Sequence, residues 1–508
     1  MLYRDPKLRL WDTTVFHDGA RLHLLFIAAD GVLGHAVSDD WVHWEEATPV
    51  VLRGAPGSWN QDGLVSNNVV MHKGVYHLFA GTKAPHGEYV VGLFTSRDCE
   101  HWEADPRNPI LTADGVHYAQ GPNEIHEMHP AWRDPAIALW PDGMFHLLLC
   151  ARRPQWDQRT SGAVIAHMRS HDLRAWEMLP PLADVGARVV FAEVPGYFAL
   201  NGRSYLHFLD LGWGGQRMHT PTRADAAGTF YLTAGQPEGP YLWPRDPLLI
   251  GADNQRMYAW AARVFQHDGE TLLYSHINAE RPSLALPKSI VERAPGALEL
   301  RYSGHLARLE RAVVISPDCM PAWRPRNNDL GAWHHVAGTT ALAGRSDSAG
   351  TSVIVADEGP DLHVQARIVM RTGACAGLVV RAENRAAHGM INWDANTGVA
   401  ALLDFERQCV ELRGVRHAPP YGWGRSWFEA HGNAAPLPEQ RVAHALAHGR
   451  PYHLRLVARD AFFELYLDDV WLMTMSMPPA ETGGGVELLA ERGEAVFDGL
   501  RLALLPAL

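Results

Sequence analysis

Five glycine-centred patterns constrain this chain more than any other feature. FHDGARLHLLFIA, MHKGVYHLFAGT, LWPDGMFHLLLCA, LNGRSYLHFLD and QHDGETLLYSHI each set a turn glycine (Gly19, Gly74, Gly143, Gly202, Gly269) between apolar, strand-like runs. Each reads as strand, tight turn, strand. The repeat length of about 50–70 residues suits one β-propeller blade with insertions. An octet, Ser-x-Asp-x-x-x-Trp-Glu, begins at Ser38, Ser96 and Ser170. Its small polar residues suit a turn, and its Trp can pack back on a sheet. A plain sandwich of hairpins is the competing fold, and the threefold octet weighs against it.

The expected fold class is all-β: a five-bladed β-propeller over residues 1–305, a linker over 306–334 and a C-terminal β-sandwich over 335–508. The linker reading rests on the Pro-rich, non-alternating stretch ISPDCMPAWRPRNNDLGAW. Beyond it LHVQARIVM, AGLVVRAE, VAALLDFE, YHLRLVARD, FFELYLDD and GVELLAE alternate as half-buried strands. The Gly-, His- and Pro-rich segment from about Arg413 to Ala447 reads as a long inserted loop.

The turn glycines supply a common register for acidic residues. Asp134 lies nine residues before Gly143, Glu193 nine before Gly202 and Asp12 seven before Gly19. An offset of two keeps a side chain on the same face of a strand. Because inner strands of a propeller start at one mouth, the three carboxylates should meet there. Singly, Asp134 could be a turn former, Glu193 an ion-pair partner and Asp12 a turn cap. Together they suit glycoside hydrolysis, in which one carboxyl donates a proton and a second attacks or activates water. The third would bind sugar hydroxyls. Arg133 would keep one acid ionised. Trp11, Trp59, Tyr197, Trp213, Tyr258 and Trp260 offer apolar walls.

The totals exclude several classes. The net charge is -12 over 508 residues, with no basic run, which disfavours nucleic acid and anionic membranes. Five widely spaced cysteines form no metal or redox pairing and read as reduced and buried. His126, Glu127 and His129 are too closely spaced, without a third ligand, for a metal site, so neither metal nor cofactor is expected. MLYRDPKLRL lacks the apolar core of a secretory signal, giving a cytoplasmic expectation.

Several of these segments resemble glycoside hydrolase family 32, the β-fructofuranosidases. Arg133-Asp134-Pro135 resembles that family's Arg-Asp-Pro signature, and Glu193-Val194-Pro195 its Glu-Cys-Pro segment, with Val194 in place of cysteine. WNQDGLVSNNVV is similar to its sugar-binding patch, where Ser66 and Asn67 fall. AVSDDWVHWEE, LALPKSIVERAPGALEL and LRLVARDAFFELYLDD resemble further family segments. The resemblance implies Asp12 as nucleophile, Asp134 as transition-state stabiliser and Glu193 as acid/base. Arg133, Trp11, Trp59, Ser66, Asn67, Tyr258 and Trp260 would bind a carbohydrate substrate. Around Asp12 the family's Asn, Pro and Gly are absent, and the spacing from Asp12 to Asp18-Gly19 is similar to family 43. The implied activity is a retaining exo-β-fructofuranosidase. An inverting arabinofuranosidase or xylosidase, or a propeller that binds carbohydrate without cleaving it, are the alternatives.

Overall fold

The computed structural model describes residues 2–29, 31–120, 131–155, 162–212, 218–221, 226–253, 259–325, 332–357, 359–382, 397–416, 439–476 and 485–507. The chain divides into two compact units, Met1–His305 and Leu306–Leu508.

The first unit is an all-β propeller. Four antiparallel four-stranded sheets follow one another in chain order. They are β1 (Trp11–His17), β2 (Leu22–Ala29), β3 (Val32–Ser38) and β4 (Glu45–Val51); β5 (Ser66–His72), β6 (Val75–Lys83), β7 (Tyr89–Ser96) and β8 (Glu103–Ala104); β9 (Arg133–Leu139), β10 (Phe145–Arg152), β11 (Ala163–Ser170) and β12 (Glu177–Asp184); and β13 (Glu193–Leu200), β14 (Arg203–Asp210), β15 (Ala226–Ala234) and β16 (Leu248–Asp253). A further run comprises β17 (Ala259–His267), β18 (Glu270–Ile277), β19 (Ser283–Leu284), β20 (Lys288–Ala294) and β21 (Ala297–Tyr302). The inner strands β1, β5, β9 and β13 pack in succession, and β17 packs against both β13 and β1.

The second strand of each sheet is rich in apolar residues and buried over most of its length. Leu25 and Leu33 of the first sheet share a core with Leu78 and Phe94 of the second. Phe79 and Leu93 of the second meet Leu147 and Val164 of the third. Leu148 and Ile165 of the third meet Leu206 and Phe230 of the fourth. Each such side chain contributes roughly 1.5–3 kcal/mol relative to exposure. The outermost strands carry what blunts an edge: Glu45 and Glu46 in β4, Pro180 and Pro181 in β12.

The five turn glycines all have positive φ, from 73° to 99°, and each links an inner strand to its neighbour. The octet is also a structural unit. Asp40, Asp98 and Asp172 each accept two backbone N–H groups of the turn after the third strand. The residue after each (Trp41, Cys99, Leu173) sits at φ 74°, 62° and 64°. Trp44 and Trp102 donate their indole N–H back to Trp41 and Cys99.

The second unit is a β-sandwich-like arrangement. Strands Leu362–Thr372, Cys375–Ala382, Thr397–Asp404, Pro451–Arg459 and Phe462–Leu467 match the alternating segments. The last runs much further than GVELLAE, over Gly485–Leu504, and pairs with Leu342–Asp357, Leu362–Thr372 and Cys375–Ala382. The stretch read as linker contains Ala312–Ile315, which pairs with Leu502–Leu504. Of the segment read as a long loop, Arg413–Arg416 ends one strand and Glu439–Ala443 forms another. Residues 417–438 lie outside the described residues. All five cysteines are free, and Cys319 is exposed rather than buried.

Candidate active site

The carboxylates stand at the entry ends of inner strands, but simple alternation is not what aims them. The pairing of β1, β9, β13 and β17 is interrupted near their starts, between Trp11 and Thr14, between Arg133 and Ala136, between Glu193 and Gly196, and between Trp260 and Arg263. Within these irregularities Asp12, Asp134, Val194 and Ala261 have φ of 38°, 63°, 47° and 50°. A bulge re-aims the neighbouring side chain and costs backbone strain for a residue other than glycine. β5 pairs without interruption and carries no acid at its start.

Arg133 links two of the acids. Its Nη2 donates to Glu193 Oε1, and its Nε lies 3.6 Å from Asp134 Oδ2. Asp134 Oδ2 also accepts the Val194 N–H at 3.0 Å, so a carboxylate from β9 holds the bulge of β13. The Asp134 N–H in turn donates to Ser66 Oγ at 2.9 Å. Through this contact Ser66 supports Asp134. Asn67 is fully buried; its backbone carbonyl accepts from Thr14 Oγ1 at 2.8 Å and Arg263 Nη2 at 3.1 Å.

Asp12 shares this electrostatic environment. Burial pushes its carboxyl up to about 8, the field of Asp134 pushes the same way, and Arg263 opposes both. Glu193 and Arg133 act on it in opposite senses. The Glu193 side chain is 15% exposed and in contact with the Arg133 guanidinium.

Trp11 and Trp260 meet with ring centroids 5.4 Å apart. Behind Trp11 lie the buried His276 at 4.5 Å and the Arg9 guanidinium at 4.4 Å. Trp59 lies in the core beside Phe94, its ring filling the space a Cβ on Gly92 would occupy. Tyr197 packs on Trp140, with ring centroids 4.8 Å apart. Tyr258, Trp213, His126, Glu127 and His129 lie outside the described residues.

Two charged residues at the site escaped the sequence reading. Arg263, 5% exposed, donates Nη1 to Pro135 O at 3.3 Å and Nη2 to Asn67 O, tying β17 to β9 and β5. Its signal was an arginine in the middle of the apolar strand AWAARVFQH. Asp210, 1% exposed, ends β14 next to Leu209, the cross-strand partner of Glu193. Burial pushes its carboxyl up to about 7 against the hydrogen bond from the Gly212 N–H, and Glu193 adds to the rise. A charge closing the run LHFLD was its signal.

Residues 29–235 match the glycosyl hydrolases family 32 N-terminal domain. Sucrose-6-phosphate hydrolases from Zymomonas mobilis subsp. mobilis and Escherichia coli are 28% and 31% identical over 191 and 192 residues. Each match covers 35% of this chain, and the chain spans about a third, 34% and 35%, of those relatives' length. Fructan 1-exohydrolase IIa from Cichorium intybus superposes with a TM-score of 0.66 at 11% identity, covering 99% of this chain and 96% of that one. Exo-inulinase from Aspergillus awamori gives 0.65 at 15% identity, covering 99% and 97%. Sucrose-6-phosphate hydrolase from Lactobacillus gasseri gives 0.63 at 13%, covering 99% and 93%. At such identities the structural likeness shows the fold. In its N-terminal sequence match and in its fold, the chain is similar to glycoside hydrolase family 32 proteins.

Proposed function

We propose that this protein is a glycoside hydrolase that releases a terminal β-fructofuranosyl unit with retention. In this reading the β17–β21 run completes the propeller as a fifth blade. The observation that carries the proposal is that Asp134 and Glu193 both stand at Arg133, with Asp12 within the electrostatic reach of all three, on three bulged inner strands. The family-32 match and the sucrose-6-phosphate hydrolase relatives support the fructoside class.

Hydrolysis with retention requires Asp12 as the carboxylate and Glu193 carrying the proton. Asp12 then attacks the anomeric carbon. The glycosidic C–O bond breaks, its electron pair stays on the leaving oxygen, and that oxygen takes the proton of Glu193. In the second step Glu193 removes a proton from water, the water oxygen bonds to the anomeric carbon, and the Asp12 carboxylate departs. Asp134, held by Ser66 and Val194, presents its other oxygen to ring hydroxyls, which bind more tightly as oxocarbenium character grows. Trp11 and Trp260 form an apolar wall.

The test is hydrolysis of sucrose and of short fructans, with product anomers followed by NMR in the first minutes. Initial release of β-fructofuranose from chain ends supports the proposal. The inverted anomer would replace the nucleophile role of Asp12 with that of a general base. Calorimetric sugar binding with no released fructose would leave a binding protein.

A further inference from the structure

At the far end of β17 from the acids, a second group of ligating side chains comes together. His267 ends β17, Asp268 follows in the turn, and His305 stands in the 3₁₀ turn that begins at Gly304. One donor atom from each lies within 4.8 Å of the others, and His267 Nε2 is 3.5 Å from Asp268 Oδ2. Glu270 Oε1 stands 4.0 Å from His305 Nε2.

We propose that His267, Asp268 and His305 form a binding site for a divalent transition metal of the zinc class. Two imidazoles and a carboxylate are the donors such an ion takes, with bonds of about 2.0–2.2 Å, so donors around a tetrahedral ion sit about 3.4 Å apart. The His267–Asp268 edge already has that length. The widest separation closes to it with about 0.7 Å of movement per side chain, within ordinary rotamer adjustment.

The surroundings hold these groups in place. The His267 ring lies near-parallel to Phe265, with centroids 6.4 Å apart, and beside Trp41 at 5.9 Å. His305 is buried, and its backbone N–H donates to Ser303 Oγ. Glu270 is fixed through its other oxygen, which accepts from Ser289 Oγ and Ser303 Oγ. At 4.0 Å Glu270 adds negative charge beside His305 without hydrogen-bonding it. The site lies roughly 20 Å along β17 from Trp260, so its ion would be structural. It would staple the β17–β18 turn to the segment that follows β21. It is also independent of the hydrolytic reading above.

The experiment uses full-length protein freed of metal by chelation and dialysis. Zinc alone is titrated calorimetrically, and cobalt(II) is followed by its visible absorption. We expect one zinc per chain, cobalt bands of a four- or five-coordinate site, and a raised thermal midpoint on zinc addition. Asp268→Ala, at an exposed turn position, should weaken zinc binding at least 10-fold without loss of fold. His267→Ala with His305→Ala should abolish it. Absence of stoichiometric zinc binding by the wild type overturns the proposal. So does equal binding by Asp268→Ala, which would trace the zinc to other histidines.

Discussion

Asp12 and Arg263 show how single residues set the behaviour of the acidic set. Folding lifts the Asp12 carboxyl from its ordinary 3.8 to about 8. Between these values the folded chain holds a proton that the unfolded chain has released, so this group's contribution to stability falls as pH rises from about 4 to about 8. Asp12→Asn removes that burden. Thermal unfolding across pH 5–9 should show the variant gaining on the wild type with rising pH; a constant difference would contradict the assignment. The same proton sets activity. Asp12 attacks only once that proton has left, so kcat/KM should rise with pH along a limb near pH 8. Arg263→Met removes the cation that opposes protonation of Asp12, and should move that limb to higher pH, with Arg263→Lys restoring it. A limb that stays in place in Arg263→Met would remove Arg263 from the electrostatics of the site. Asp12, Asp134 and Glu193 stand out in the sequence because each precedes a turn glycine by seven or nine residues. Arg263 and Asp210 do not, because a lone charge inside an apolar strand looks the same whether it meets solvent, a neighbouring blade or an active site.

Among the elements, the repeated octet and the bulged inner strands matter most. Ser96 is buried, and its hydroxyl accepts the N–H of Cys99 at 3.0 Å. Ser96→Ala leaves that buried donor unpaired, a cost of about 1–3 kcal/mol, which denaturant unfolding can measure. No change in midpoint would mean that the turn finds another acceptor. Gly92→Ala would drive a Cβ to within 1.9 Å of the Trp59 ring, and overpacking of this kind costs about 1–3 kcal/mol. A variant as stable as wild type would show that Trp59 repacks freely. The hairpins and the octet were readable because turns demand particular residue types. The bulges were not. Nothing in WDTT or RDPA announces a residue at positive φ, since its strain is offset by contacts such as Ser66 with Asp134, which are distant in sequence. Spacings of seven and nine residues therefore pointed to convergence for an incomplete reason. The strand Leu342–Asp357 was missed because RSDSAGTS interrupts its alternation.

On the scale of the whole molecule, β17 and β18 close on β1, the strand that carries Asp12. β17 packs against β1, and the Val15 N–H donates to the buried Tyr274 hydroxyl on β18 at 3.0 Å. Tyr274→Phe should destabilise the protein by about 1–3 kcal/mol, read from denaturant midpoints. An unchanged midpoint would show that this hydrogen bond adds nothing to the closure. The two-unit division follows the change in sequence texture near Leu306. The central claim is that carboxylates on separate sheets act as one hydrolytic centre. The most direct measurement is sucrose hydrolysis by wild type, Asp12→Asn and Glu193→Gln, each with its fold checked by circular dichroism. The account predicts fructose release by the wild type, a loss of about 10²–10⁴-fold in Glu193→Gln and at least as large a loss in Asp12→Asn. Near-native turnover in either folded variant would contradict it.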